Sequence, residues 1–181
     1  EVGGNNSNLN ELLNKWGIEL VENKVVGDLL SARRVEIGSS DQPSVTDYLA
    51  WLDIKKDHMD DTHQVTSKVQ RLTFATSGFL KNNGNNKNIN FKRLVWSTTQ
   101  SMQIDVDDVS SPDPTTLLRN FSPSNEELTL AAEIKGNFVS NFPDGPPETN
   151  KKDDFKNKHI NESIKPSTLI VVADADMLYD E

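Results

Sequence analysis

Apolar positions come in short runs separated by polar stretches. Leu169-Ile-Val-Val-Ala173 is the most apolar run. It is β-branched and unbroken, which predicts a strand buried on both faces. In α/β domains helices supply the layers that such a strand needs. Leu94-Val95-Trp96, within Phe91 to Thr98, predicts a second core strand in the same sheet. Leu9, Leu12, Leu13 and Trp16 fall at i, i+3, i+4 and i+7 and predict a helix over Asn8 to Trp16. Asn8 with Glu11 resembles a capping box, and Gly17 suits the position after the helix. Ile18 to Val21 and Val25 to Asp28 read as extended chain. Arg34 to Ile37, Thr46 to Ile54 and Arg71 to Thr76 read as strands, with Gly38 to Pro43 as a loop. Tyr48, Trp51 and Leu52 do not alternate cleanly and leave the buried face of their strand open. Thr62 to Val69 predicts a short helix. Pro112 to Asn120 predicts another, with Asp113 as N-cap and Pro114 at the first helical position. Leu128, Leu130, Ala132, Ile134 and Phe138 share a strand's parity. Leu130, Ala131, Ile134 and Phe138 equally suit a helix, and the strand reading is preferred. Together these elements predict a three-layer αβα fold, one α/β domain fragment over residues 1–181.

The polar stretches add length without core. Lys81 to Asn90 is Asn-rich and reads as a turn or insertion. Phe142-Pro-Asp-Gly-Pro-Pro147 stops any regular element, and the charged chain after it predicts a flexible excursion over about 144–165. The 34% hydrophobic content agrees with so much polar loop. A net charge of −9 and no Lys/Arg cluster argue against nucleic acid and anionic lipid as partners. The absence of cysteine removes disulfides, thiolate nucleophiles and Cys-ligated metal. No apolar run approaches the roughly 20 residues that span a bilayer. The first residues lack the basic and apolar regions of a signal peptide. The chain starts without Met and stops just after a predicted strand, so it is expected to be a piece of something longer.

Few residues carry candidate chemistry. Asp28, after an apolar pair, could line a site or cap the next turn. Ser77-Gly78 could offer backbone amides to an anion, although a tight turn needs the same residues. Asp174 and Asp176 lie past the predicted strand, where open α/β sheets place their crevices, and i, i+2 carboxylates share a face of an extended segment. Neither has a base or nucleophile nearby in sequence, and turn capping is the plainer reading. Asp57-His58-Met-Asp60-Asp61-Thr-His63 is the densest cluster of metal-type ligands, but its histidines are five apart rather than four. A solvated loop is the reading taken, with no metal and no cofactor. Asp105 to Ser110 lacks the Gly and Glu of a calcium loop. No nucleophile elbow, phosphate-binding loop or dinucleotide fingerprint is present. Catalytic residues are therefore expected to be absent.

Leu9 to Glu19, Val25 to Asp28, Arg71 to Gly78, Glu127 to Gly136, Phe142 to Pro147 and Leu169 to Asp180, in this order and spacing, resemble the soluble region of gliding-motility-type (GldG-like) auxiliary proteins of ABC transporters. The resemblance implies a flavodoxin-like or class I glutamine amidotransferase-like fold. It also implies a periplasmic, extracytoplasmic domain of an inner-membrane protein, with permease and ATPase subunits as partners through the full-length protein. A sugar-binding role is implied as well, so a glycan or cell-wall ligand is the second reading, with Trp16, Trp51 and Trp96 as its aromatic candidates, although all three fit core positions better. A degenerate hydrolase is the third. Amidotransferase chemistry needs a cysteine that this chain lacks.

Overall fold

A computed structural model describes residues 9–39, 41–111, 113–146 and 159–178. Ten strands dominate it: β1 (Ile18–Leu20), β2 (Lys24–Asp28), β3 (Ala32–Ser39), β4 (Gln42–Lys55), β5 (Arg71–Ala75), β6 (Leu80–Asn82), β7 (Ile89–Trp96), β8 (Ser101–Asp105), β9 (Thr129–Gly136) and β10 (Ser167–Val172). Three short α-helices accompany them: α1 (Asn10–Lys15), α2 (Val106–Ser110) and α3 (Pro114–Arg119).

The strands form three sheets. β3, β4 and β5 make one, and β2 and β8 a second. The third has five strands. Its central β9 pairs with β7 on one side, and with β10 and the end of β6 on the other, while β1 pairs with β6. Each of these pairings is antiparallel. The expected helical layers around a doubly wound sheet are therefore replaced. The chain is mixed α/β but sheet-rich, and among the described residues sheets pack on sheets. The physical reason lies in the connections. A parallel pair needs a crossover of a dozen or more residues, usually a helix. The described helices are only five or six residues long.

The central core lies between the sheets and is built from Val26 of β2, Leu52 and Ile54 of β4, Phe74 of β5, Leu94 and Val95 of β7, and Leu130 of β9. A second cluster, with Leu13, Trp16, Ile18, Ile134 and Val171, covers the five-stranded sheet with α1. A third joins Val25, Tyr48, Leu49 and Ile104 to Leu117 of α3. In β4 the even-numbered Tyr48, Ala50, Leu52 and Ile54 are buried and Trp51 faces out, which settles the open face. Leu49 is buried as well, in the cluster with α3.

Several local readings hold. Gly17 takes a left-handed conformation (φ 80°) after α1, as a residue closing a helix must. Asp113 caps α3 by accepting from the Thr116 N–H. Residues 129–136 form a strand, not a helix. The two apolar runs do share a sheet, one on each side of β9. Other readings change. Gly38 and Pro43 are paired with each other in the β3–β4 ladder, which runs to Ser39 and Gln42. Thr62 to Val69 forms turns, because Asp60 accepts from the N–H groups of Thr62 and His63 and draws the chain round. The capping role expected of Asn8 lies outside the described residues, and Leu9 occupies the N-cap position of α1. Residues 147–158 of the expected excursion are likewise outside them. Its C-terminal part is tied down: Val139 bridges to Glu162, and Ser163 exchanges hydrogen bonds with Phe138. The largest correction concerns Leu169 to Ala173. Among the described residues β10 pairs with β9 alone, so it is an edge strand there, and Leu169 and Ile170 are 40% and 43% exposed.

Candidate functional site

The predicted site residues divide into a buried anchor and a cleft wall. Asp28 ends β2 and is fully buried. Its Oδ1 accepts from the N–H of Leu30 (2.9 Å) and Ser31 (3.0 Å) and from Thr98 Oγ1 (3.0 Å). Its Oδ2 accepts from the Thr98 N–H. Four donors satisfy the carboxylate and bind the turn after β2 to the end of β7. The turn-capping reading is the one realised.

Ser77 and Gly78 lie between β5 and β6. The Gly78 N–H donates to the Ala173 carbonyl at 2.9 Å, and Ser77 Oγ bonds to the carbonyls of Gly78 and Ala173. The Gly78 amide and the Ser77 hydroxyl thus hold the end of β10 rather than an anion. Asp174 follows at once. Its Oδ2 accepts from the Ala75 N–H at 2.9 Å, and its Oδ1 from those of Asp176 (2.7 Å) and Met177 (3.2 Å). It caps the single 3₁₀ turn Asp176–Leu178 and pins it to the end of β5. Burial raises the Asp174 pKa above the ordinary carboxylate value, against the opposing pull of these three amides. Asp176 donates its N–H to Asp174 and is itself exposed, so the two carboxylates form no paired site.

Gly78 and Asp174 nevertheless share a feature that spacing did not disclose. They line a cleft of about 500 Å³ between α1, the β1–β2 connection and the end of β10. Leu9, Leu13, Leu20 and Val171 to Ala173 make its apolar walls, and Glu22, Lys24 and Asp174 add polar groups. Asn10 belongs to the same cleft. Its amide donates to the Leu20 carbonyl and Glu22 Oε1, and its Oδ1 accepts from the Leu20 N–H. It fixes α1 against β1. Nothing in the sequence marks Asn10 apart from its place in the first helical turn, where a buried polar residue is unexpected.

A second, more polar hollow of about 510 Å³ is lined by Lys56, Asp57, Met59, Asp60, Asp61, Arg93 and Trp96. It holds much of the metal-type cluster, but the ligands do not converge. His63 Nε2 pairs with Glu133 Oε2 at 3.0 Å, and Asp60 Oδ2 with Lys92 Nζ at 2.6 Å. The hydrogen bond to Lys92, helped by that to Thr62, holds Asp60 far below the ordinary carboxylate range. No group of three potential metal ligands is brought together among the described residues. The Arg93 guanidinium lies over the Trp96 ring, 4.7 Å from its centroid. Trp16 is engaged edge-on with Phe138 and donates to the Val139 carbonyl, while Trp51 sits on the surface beside Tyr48. No described helix is long and apolar enough to cross a membrane.

Neither curated proteins nor solved structures show a match to this chain. A protein family does, along all of it: the chain, matched over residues 1–181, belongs to the auxiliary family described as ABC-type uncharacterized transport system.

Proposed function

We propose that this chain is a non-enzymatic, extracytoplasmic module of an ABC-type transport system, of the gliding-motility type. It acts by holding permease and ATPase subunits or their cargo in place. Family membership supports the transport setting. The observation that carries the non-catalytic reading is the use of the candidate polar groups. Asp28, Ser77 and Asp174 spend their side-chain oxygens on main-chain partners and, at Asp28, on the Thr98 hydroxyl as well, so the groups best placed for chemistry are structural. A general acid or base must reach a substrate proton, and these reach backbone amides and carbonyls. The cleft that Asp174 lines is apolar-walled, as grooves that take an amphipathic protein segment are. Co-expression with the permease and ATPase subunits of its own system should recover a complex on an affinity tag. A broad esterase, amidase and glycosidase screen should stay at background. Hydrolysis abolished by Asp174→Asn would overturn this reading in favour of a degenerate hydrolase.

A carbohydrate- or cell-wall-binding role is the second reading. It is favoured by the hollow where Trp96, Arg93 and three aspartates meet, since sugar sites combine an aromatic face with polar groups. Thermal stabilisation by a cell-wall glycan, lost in Trp96→Ala, would select it.

A further inference from the structure

Exposed sheet edges are normally protected by charge, brevity, bulges or a covering segment. In the five-stranded and three-stranded sheets most edges carry such a device. β3 bears Arg33, Arg34 and Glu36 and a register shift after Ala32. The end of β5 is held by Asp174. β7 bears Lys92 and Arg93, and Met59 bridges to its Val95. β1 is three residues long with Glu19 at its centre. β10 differs. Its six residues contain no charge and no proline, and its ladder with β9 is regular. Its side chains are apolar on both faces, with Leu169 and Val171 on one and Ile170 and Val172 on the other.

We propose that β10 pairs antiparallel with β10 of a second copy of this chain, about a two-fold axis at Ile170. The Ala173 N–H bonds to the Leu130 carbonyl, which places the odd-numbered residues in the hydrogen-bonded pairs with β9. Thr168, Ile170 and Val172 then direct their N–H and C=O groups to the free edge. An axis at Ile170 sets it against the partner subunit's Ile170, and Thr168 against the partner subunit's Val172. Leu169 falls opposite the partner subunit's Val171, so apolar meets apolar on both faces. The ends match too. Pro166, with no N–H to donate, closes the ladder. Lys165 precedes β10 and the exposed Asp176 follows it, so the antiparallel arrangement brings the cation of one chain to the same end as the partner subunit's Asp176. Ile164, 85% exposed in the single chain, is carried towards the mouth of the partner's apolar cleft, which Val171 to Ala175 line. The strand that fits this edge must be apolar on both faces with a cation at its start, and β10 is itself such a strand. That self-complementarity selects a second copy as the occupant. The pairing stands apart from the transport role.

Sedimentation of chain 1–181 from about 1 μM to about 1 mM should show a reversible monomer–dimer equilibrium, as a small interface gives. Amide exchange at Thr168, Ile170 and Val172 should slow with concentration, while Leu169 and Val171, bonded to β9, should not change. Ile170→Lys places like charges across the axis and should weaken association at least about tenfold. Its monomer should keep the melting midpoint of dilute wild type. Ile170→Pro should also be monomeric, and Leu169→Pro, which breaks the bond to β9, should lower stability instead. A wild type that stays monomeric throughout overturns the proposal. So does a dimer indifferent to Ile170→Lys, or an edge that takes up a permease segment while the chain does not self-associate.

Discussion

Asp28 and Asp174 solve one problem at different depths: each sits where a strand ends and gathers the amides that the ladder no longer uses. At Asp28 both carboxylate oxygens are taken. Asp28→Asn replaces Oδ2 or Oδ1 by a donor that must face another N–H, which should cost about 1–3 kcal/mol. Equilibrium urea unfolding of the variant would measure this, and an unchanged midpoint would show that the Thr98 bonds are not formed. Asp174 adds a pH signature. Its folded pKa is raised by burial, so its neutral form is favoured by the fold. This group's contribution therefore increases as pH falls through the raised folded value and is complete below the unfolded one. Asp60, lowered chiefly by Lys92, works the other way: its contribution is full above the ordinary carboxylate pKa and is lost as pH falls through its lowered one. Wild type should gain on Asp174→Asn, and lose relative to Asp60→Asn, as melts are run from neutral to acid. The residue types of these groups were legible in the sequence, and so was turn capping by Asp28. The Asn10 bonds and the meeting of Gly78 with Asp174 were not. The two cleft residues are 96 apart in the chain, and only pairing of β10 beside β6 brings them together.

At the level of elements, β9 decides the sheet because it has partners on both sides. Its end, Gly136, pairs with Ile89 on one side and Ser167 on the other. A Cβ there would lie 2.3 Å from the Asn88 carbonyl oxygen, which is backbone and cannot swing away. Gly136→Ala should cost about 1–3 kcal/mol in chemical denaturation, the range for forced overpacking. Gly84→Ala is the comparison for backbone strain without a clash, since φ is 70° there but nothing lies near its Cβ position. Parity along Leu128 to Ile134 was enough to choose the strand over the helix, because alternation survives wherever one face packs. The same rule failed for β10. An apolar run on both faces looks identical in the centre of a sheet and at its edge, and the difference lies in pairings remote in sequence. It failed for Thr62 to Val69 for a different reason. Val65 and Val69 have helical spacing, but Asp60 takes the amides of Thr62 and His63 locally and sets a turn instead.

Across the whole molecule, the three sheets do not each own a core. Val26, Leu52, Phe74, Leu94 and Leu130 come from all three and meet in one cluster, so no sheet can leave without opening the others. Unfolding should therefore be one cooperative event. Phe74→Ala removes a fully buried ring from this junction and should cost about 3–5 kcal/mol. The loss should lower one transition rather than split it in two. The tryptophans make this testable by position. Trp16 reports the layer over the five-stranded sheet, Trp51 the outer side of β4, and Trp96 the end of β7. Variants that keep one tryptophan each, unfolded in urea, should share a midpoint with each other and with far-ultraviolet circular dichroism. A strong chelator should leave that shared midpoint where it was, because Asp60 and His63 are committed to Lys92, Glu133 and the backbone and no three metal-type ligands converge among the described residues. A separate midpoint for Trp51 would mean that the three-stranded sheet is an independent unit. A drop with chelator would mean that His58 and His63 hold an ion.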